Sequence, residues 1–227
     1  MTGSRDWDDL ADELGVAAVA DGDPTRWYDE LWSAATRGEV AMPWDRTDPH
    51  DLLADFLVDR AADRDGTGLR AVVVGAGYGA DAEHLAALGY ETTAFDISPA
   101  AVGATRERYP DSPVDYRVAD LLDLPEELVG GFDLVVEIYT IQALHGALRE
   151  RAVSGVRRLV ASGGTLFVVQ IVRDDDEEVG AEPPWLLDFA EMAALAGDGL
   201  VAESLDRLPN PHVPEARDRW RMILDRP

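Results

Sequence analysis

The stretch from Leu69 to Asp96 constrains the fold of this chain more than any other. Ala71 to Val74 is a short, β-branched apolar run that suits a buried parallel strand. It ends in Gly75, Gly77 and Gly79, which permit a tight turn and close approach of backbone to a ligand. Ala82 to Leu88 then reads as a helix, with Ala82, Leu85, Ala86 and Leu88 on its apolar stripe and Gly89 as its stop. A second strand, Thr92 to Phe95, leads to Asp96. This strand, glycine turn, helix, strand and acid place a carboxylate beside the turn, where it can accept hydrogen bonds from a ribose diol.

Two cofactors fit such a unit. Gly75, Gly77 and Ala80 satisfy the G-x-G-x-x-G/A spacing of a nicotinamide dinucleotide site, with Asp96 at a suitable distance. Gly75, Gly77 and Gly79 equally satisfy the G-x-G-x-G pattern of an S-adenosylmethionine site. The glycines alone do not choose, and they would also serve a turn that merely packs.

At 227 residues and 46% hydrophobic, the chain suits one domain with one sizeable core. No window of about 18 uncharged apolar residues suggests a membrane span. Met1 to Asp12 is acidic, unlike the basic-then-apolar start of a signal peptide, so a cytoplasmic protein is expected. There is no cysteine, which excludes disulfides, a thiolate nucleophile on the protein and cysteine metal sites. His50, His84, His145 and His212 are too widely spaced to form a metal motif, and no metal is expected. The net charge is −25, and all 20 basic residues are arginines. Nucleic acid and anionic membranes need a basic surface, so neither is expected as a partner. The excess of carboxylate fits GC-rich DNA or a salty cytoplasm that screens it.

In order along the chain, Trp7 to Leu14 reads as a surface helix whose Trp7 packs. Asp23-Pro24 opens a helix to about Thr36 that carries Trp27, Tyr28, Leu31 and Trp32. Met42 to Asp45 is a loop, and Asp51 to about Ala62 a further helix. Asp63 to Gly68 links these helices to the first strand. Ser98-Pro99 starts a helix to about Tyr109. Val114 to Val118 and Phe132 to Ile138 are strands, and Leu148 to Val160 is a helix. Ser162-Gly163-Gly164 turns into a strand from Thr165 to Val172. Asp174 to Glu178 reads as a solvated loop, and Pro184-Trp185 as the start of a helix to about Leu195. Leu200 to Leu208 and Arg219 to Leu224 are the last strands. The expected fold is α/β: a doubly wound, Rossmann-like, mostly parallel seven-stranded sheet with helices on both faces and an antiparallel final hairpin. Residues 1–65 form an N-terminal helical lid and residues 69–227 the cofactor-binding core of a single domain, 1–227.

Val-Val-Val-Gly-Ala-Gly-Tyr-Gly, Phe95-Asp96-Ile97-Ser98-Pro99, Ala119-Asp120-Leu121, Phe132 to Glu137 and Ser162-Gly163-Gly164 occur in the order of the motifs of class I S-adenosylmethionine-dependent methyltransferases, which this chain resembles. Asp81 after the glycines, Trp27, Trp32 and Pro43-Trp44-Asp45, and the spacing from Glu137 to Arg149 are similar to the thiopurine and halide/thiol branch. The first strand lacks that branch's proline, Glu137 replaces a common Asp, and Tyr139 to Gln142 replaces a more aromatic run.

The resemblance implies S-adenosyl-L-methionine as cofactor and S-adenosyl-L-homocysteine as product. It implies methyl transfer to a small-molecule acceptor, favouring a thiol, in a monomer or homodimer. An O- or N-methyltransferase of a small metabolite and a non-catalytic S-adenosylmethionine-binding protein are the alternatives. The implied cofactor contacts are Trp27, Trp32, Trp44, Gly75, Ala76, Gly77, Asp81, Asp96, Ile97, Asp120, Leu121 and Glu137. Past the fourth strand, Tyr139, Gln142 and His145 are the candidate catalytic residues, with His145 able to remove a proton near neutral pH. Tyr28, Tyr139 and Arg149 are the candidate substrate contacts; Arg149 could take a carboxylate in a bidentate grip.

Overall fold

The computed structural model describes residues 6–23, 25–61, 65–180, 183–210 and 216–227. Its helices are α1 (Trp7–Ala20), α2 (Arg26–Thr36), α3 (Asp51–Ala61), α4 (Ala80–Ala87), α5 (Pro99–Arg108), α6 (Gly146–Leu159) and α7 (Phe189–Ala193). Its strands are β1 (Arg70–Val74), β2 (Glu91–Asp96), β3 (Asp115–Val118), β4 (Phe132–Ile138), β5 (Val160–Ile171), β6 (Val201–Leu208) and β7 (Arg219–Asp225). They form one seven-stranded sheet in the order β3-β2-β1-β4-β5-β7-β6.

The first five strands run parallel, and β7 enters antiparallel between β5 and β6. This is the doubly wound sheet with a closing hairpin that the strand and helix pattern predicts. Chain order reverses between β1 and β4, so a crevice opens at the carboxyl ends of these strands.

Successive strand residues point to opposite faces, and the two cores follow from that alternation. Val72, Val74 and Val135 join Ala152, Val156 and Leu159 of α6 and Met192 of α7 on one face. Val73, Leu134 and Val136 join Leu53 and Phe56 of α3 and Leu85 of α4 on the other. A third cluster, with Leu10, Trp27, Leu31 and Trp32, forms inside α1 and α2 and reaches Ala101 of α5. The N-terminal helices are thus a small packed cap.

The chain departs from the expected elements in four places. α1 continues through Gly15 to Ala20 instead of ending near Leu14. α2 begins at Arg26, after Thr25, which makes no side-chain cap bond; Pro24 lies outside the described residues. Ser162-Gly163-Gly164 does not precede β5 but lies within it. The pairing slips there, from Phe132↔Val160 to Leu134↔Thr165, with Gly163 at φ 78°. Gly163 N–H still bonds Arg226 O at 2.7 Å, and Arg226 N–H bonds Gly164 O at 2.9 Å, so the strand stays paired.

The helix expected from Pro184 is the fourth. Trp185 N–H bonds Gln142 O at 2.7 Å and Leu187 bridges Val172, which holds the segment extended. A capping box of Asp188 and Glu191 then starts α7. Asp174 to Glu178 is largely exposed, as expected, although Asp174 pairs with Arg207 and Glu177 with Arg217. Residues 62–64, where the expected helix ends and the expected linker begins, and His212 lie outside the described residues.

Candidate active site

The glycine turn sits at the carboxyl end of β1, and its glycines are needed for two different reasons. All three have positive φ: 62° at Gly75, 51° at Gly77 and 83° at Gly79. A Cβ at Gly75 would lie 2.3 Å from Thr140 Oγ1, and one at Gly79 would lie 2.5 Å from the Tyr116 hydroxyl. These two let the turn pack. A Cβ at Gly77 would meet only the indoles of Trp32 and Trp44, at 3.7 Å. Gly77 therefore lines the space between turn and cap.

Asp96 faces this turn from the tip of β2. Its Oδ2 accepts the Gly77 N–H at 3.2 Å and its Oδ1 the Ser98 N–H at 3.0 Å. With Ile97 N–H as a third backbone donor, the carboxylate still keeps a lone pair for a further donor. Burial pushes the pKa of Asp96 up, against the pull of the backbone N–H groups of Ser98, Gly77 and Ile97. Ile97 is half-buried beside it. Thr105 Oγ1 donates to Gly77 O at 2.6 Å and steadies the turn from α5.

The cap closes over the turn through aromatic rings and a few polar bonds. Trp32 meets Tyr78 edge-on at 4.6 Å and Trp44 at 6.4 Å, and Trp7 meets Trp44 at 5.3 Å. Trp44, 36% exposed, is the open ring, whereas Trp27 and Trp32 are buried in the cap. Asp29 Oδ1 accepts from Ser98 Oγ at 2.6 Å and from Ala100 N–H at 3.0 Å. Tyr28 donates to Ala143 O at 2.5 Å, and burial raises its pKa.

Asp81 does not turn toward the glycines. It is gripped by both terminal nitrogens of Arg46, at 3.2 and 2.6 Å, and accepts the His50 N–H at 2.7 Å. It clamps α4 to the loop before α3.

At the end of β4, Glu137 is fully buried rather than open to a ligand. Its Oε1 accepts Thr140 and Ile141 N–H at 2.7 and 2.9 Å, and its Oε2 accepts from Gln170 at 2.5 Å. Burial pushes its pKa up to about 7 against these donors. Glu137 thus shapes the loop from Tyr139 to Gln142. Tyr139 sits at φ 64°, uncommon for a residue with a side chain, and its hydroxyl lies 3.0 Å from His50 Nε2.

Three expected substrate-side residues are otherwise occupied. Gln142 Oε1 accepts Ile171 N–H at 2.8 Å, so its side chain holds β5. His145 is exposed and stacks on Trp185 at 5.3 Å. Arg149 is buried and donates to Leu144 O at 2.9 Å, to Glu191 Oε1 at 2.7 Å and to Trp185 O. A guanidinium so committed holds the segment before α7, not a substrate carboxylate.

At the end of β3, Asp120 is half-buried and accepts Leu122 N–H at 2.8 Å. Leu121 points into the core, and its carbonyl would lie 2.4 Å from a Cβ on Gly155 of α6. The turn Gly75 to Gly79, Asp96, Ile97, Asp120, Trp44 and Tyr139 therefore share the carboxyl edge of β1 to β4. His50, Asp29, Arg46 and Thr105 complete the surroundings and were not singled out as site residues by sequence. The dipeptide His50-Asp51 after Asp48-Pro49 was the available signal for His50. Among the described residues, no group of three or more His, Cys, Asp or Glu could hold a metal ion. No helix among them is long and apolar enough to cross a membrane.

Residues 72–168 match the family model described as a methyltransferase domain. A ubiquinone biosynthesis O-methyltransferase of Xanthomonas oryzae pv. oryzae is 33% identical over 136 residues, covering 57% of this chain and 56% of that protein. The chain thus spans little more than half of that relative's length. A solved structure described as the conversion of a disulfide bond into a thioacetal group during echinomycin biosynthesis superposes with TM-score 0.69 at 22% identity, covering 88% of this chain and 93% of the other. The Burkholderia thailandensis 1,6-didemethyltoxoflavin-N1-methyltransferase, with bound 1,6-didemethyltoxoflavin and S-adenosylhomocysteine, superposes with TM-score 0.63 at 16% identity, covering 96% and 88%. The Rossmann-like methyltransferase fold is shared with these structures.

Proposed function

We propose that this chain is an S-adenosylmethionine-dependent methyltransferase that methylates a small molecule. The observation that carries the reading is the Asp96 carboxylate bonded to the Gly77 N–H beneath the aromatic cap, at the crevice between β1 and β4. The residues present fit the cofactor. Gly77 leaves a cradle that a side chain would fill, and Asp96 retains acceptor capacity for a ribose diol. Gly75 to Gly79, Ile97 and Asp120 are the remaining contacts, with Trp44 as the open wall of the cap.

Bound there, S-adenosylmethionine supplies an electrophilic methyl on a sulfonium. The chain's part is to align an acceptor with it and exclude water. The aromatic faces of the cap attract a sulfonium by about 0.5–2 kcal/mol. No covalent intermediate with the protein is needed, so a chain without cysteine can do this chemistry.

A thiol-type acceptor is the finer reading, and the Trp-rich segment from Trp27 to Asp45 supports it through its resemblance to the thiopurine and halide/thiol branch. An oxygen acceptor is the second reading, favoured by the O-methyltransferase relatives. Cytoplasmic placement and a monomeric or homodimeric state belong to the same proposal. The test is calorimetric titration with S-adenosylmethionine and with NAD, followed by a labelled-methyl panel of thiols, phenols, amines and carboxylic acids. Binding of the sulfonium alone, with transfer to one acceptor class, is expected. Binding without transfer to any member would leave a cofactor-binding protein, and binding of NAD alone would overturn the reading.

A further inference from the structure

The loop before α3 brings a histidine and a carboxylate behind the tyrosine at the end of β4. His50 Nε2 lies 3.0 Å from the Tyr139 hydroxyl, and His50 Nδ1 lies 3.2 Å from Asp51 Oδ1. Leu52 N–H donates to Nδ1 at 3.3 Å, and it bonds the Asp51 carboxylate as well. The carboxylate is the stronger acceptor for both donors. We infer that Leu52 N–H is drawn to Asp51 and that Nδ1 carries its own proton toward the same carboxylate. That leaves Nε2 bare and facing the phenol, so Tyr139 O–H donates to it.

Every member of this row is held from behind. Arg219 of β7 grips Asp51 with both terminal nitrogens, at 2.6 and 3.0 Å, and its charge opposes the raised pKa of the phenol. Asp81 of α4 takes the His50 N–H, and Arg46 holds Asp81. Tyr139 keeps its left-handed backbone beside Thr140, whose hydroxyl bonds Val74 O at 3.2 Å, directly before the glycine turn. Strained residues fixed by their surroundings cluster at functional sites.

We propose that Tyr139 is the catalytic proton relay for the methyl acceptor and that His50, Asp51 and Arg219 are its positioning residues. This rests on the methyltransferase reading above. As the acceptor's oxygen or sulfur attacks the methyl carbon, its own proton passes to Tyr139 Oη. The tyrosine proton passes at the same time to His50 Nε2. The carbon–sulfur bond of the donor breaks with its electron pair going to sulfur. The products are the methylated acceptor, S-adenosylhomocysteine and an imidazolium paired with Asp51, which then releases its proton to solvent. The groups facing His50 are Tyr139, Asp51, Asp81, Arg46 and Arg219. The acceptor class is thereby one that is protonated at neutral pH, such as a phenol or an aliphatic thiol, rather than a preformed anion.

The first arm of the test needs no acceptor. The full chain, labelled with 15N at histidine and saturated with S-adenosylhomocysteine, should show His50 protonated at Nδ1 with a hydrogen-bonded, bare Nε2. Tyr139→Phe should free that Nε2. A proton found on Nε2 overturns the relay whatever the acceptor is. The second arm follows labelled methyl transfer to phenol and to 4-nitrothiophenol, which ionises without help. His50→Gln should lower kcat on phenol by about 100-fold and spare 4-nitrothiophenol and the KM for S-adenosylmethionine. Equal losses on both acceptors would mark His50 as merely structural. If neither compound is methylated, the tautomer decides the relay alone. Failure of S-adenosylhomocysteine to bind would instead overturn the methyltransferase reading.

Discussion

The Asp96 carboxylate reaches back from the end of β2 to the Gly77 N–H at 3.2 Å, so the acid and the turn it serves are already joined. That link ties the orientation of the carboxylate to the conformation of the turn. Asp96→Ala should weaken S-adenosylmethionine binding by about 10–100-fold through loss of charge-assisted hydrogen bonds. Asp96→Asn, which keeps one acceptor oxygen, should lose less. Calorimetry on both variants checks this, and an unchanged Kd for Asp96→Ala removes Asp96 from the site.

Gly79 and Gly77 should fail in different ways. A side chain at Gly79 would strike Tyr116 at 2.5 Å and Thr105 at 2.7 Å, so Gly79→Ala should destabilise the fold. At Gly77 the nearest atoms are indole carbons at 3.7 Å, in the space assigned to ligand. Gly77→Val should remain folded, with a stability cost of about 1–3 kcal/mol for positive φ, and lose cofactor binding. Circular dichroism melts paired with titration separate the two outcomes. A folded Gly77→Val that binds normally would show that this turn holds no cofactor.

These contrasts mark what could be read from the chain itself. Val72, Val73 and Val74 before the glycines, and Asp96 after them, specify strand, turn and acid because their periodicity and turn chemistry are local. The partners of Arg149 and Gln142, Glu191 and Ile171, are far away in sequence, so these contacts were not legible there. Asp81 shows the same thing on a shorter scale: its partners Arg46 and His50 come from the cap. The helix expected at Pro184 failed because a tertiary bond from Trp185 to Gln142 outweighed a local starting signal.

Two buried groups give opposed pH dependences. Burial lowers the pKa of His50 from 6.5 to about 4. The unfolded chain takes up that proton first, so the stability His50 contributes above pH 6.5 is lost as the pH falls toward 4. Burial raises Glu137 from 4.5 to about 7. The folded chain holds that proton longer, so its stabilisation is complete below pH 4.5 and is lost as the pH rises through 7. Urea melts from acid to neutral pH should show both. Relative to wild type, His50→Asn should gain stability at the acid end and Glu137→Gln should gain it at the neutral end. The Gln amide faces the Gln170 amide, so an overall cost of about 1–3 kcal/mol should accompany that gain. Parallel curves for all three proteins would contradict these assignments.

The charge of −25 makes a separate prediction about salt. Many arginines already sit in ion pairs, such as Arg37 with Glu39 and Arg207 with Asp218, which salt weakens slightly. The larger effect is screening of the unbalanced carboxylates. The Tm should rise with potassium chloride up to molar levels. A flat or falling curve would remove the salty-cytoplasm interpretation and leave base composition of the DNA as the origin of the acidity.

The cap should be coupled to the cofactor through Asp29. Its Oδ1 takes both the Ser98 hydroxyl and the Ala100 N–H, and Ser98 in turn gives its own N–H to Asp96. One carboxylate of α2 therefore braces the segment that carries the acid at the end of β2. Asp29→Ala strips acceptors from two donors, and leaving partly buried donors unmet costs about 1–3 kcal/mol. Part of that loss should appear as unfolding at lower temperature, because α2 packs on α5 through Ala101. The rest should appear as a weaker Kd for S-adenosylhomocysteine, because Asp96 loses its brace. Asp29→Asn keeps one acceptor oxygen and should recover most of both. Removing the cap before about Asp48 should abolish turnover while some cofactor affinity survives in Asp96 and the glycine turn. If Asp29→Ala lowers Tm yet leaves the Kd untouched, the cap is a structural cover only, and its aromatic rings take no part in holding the methyl donor.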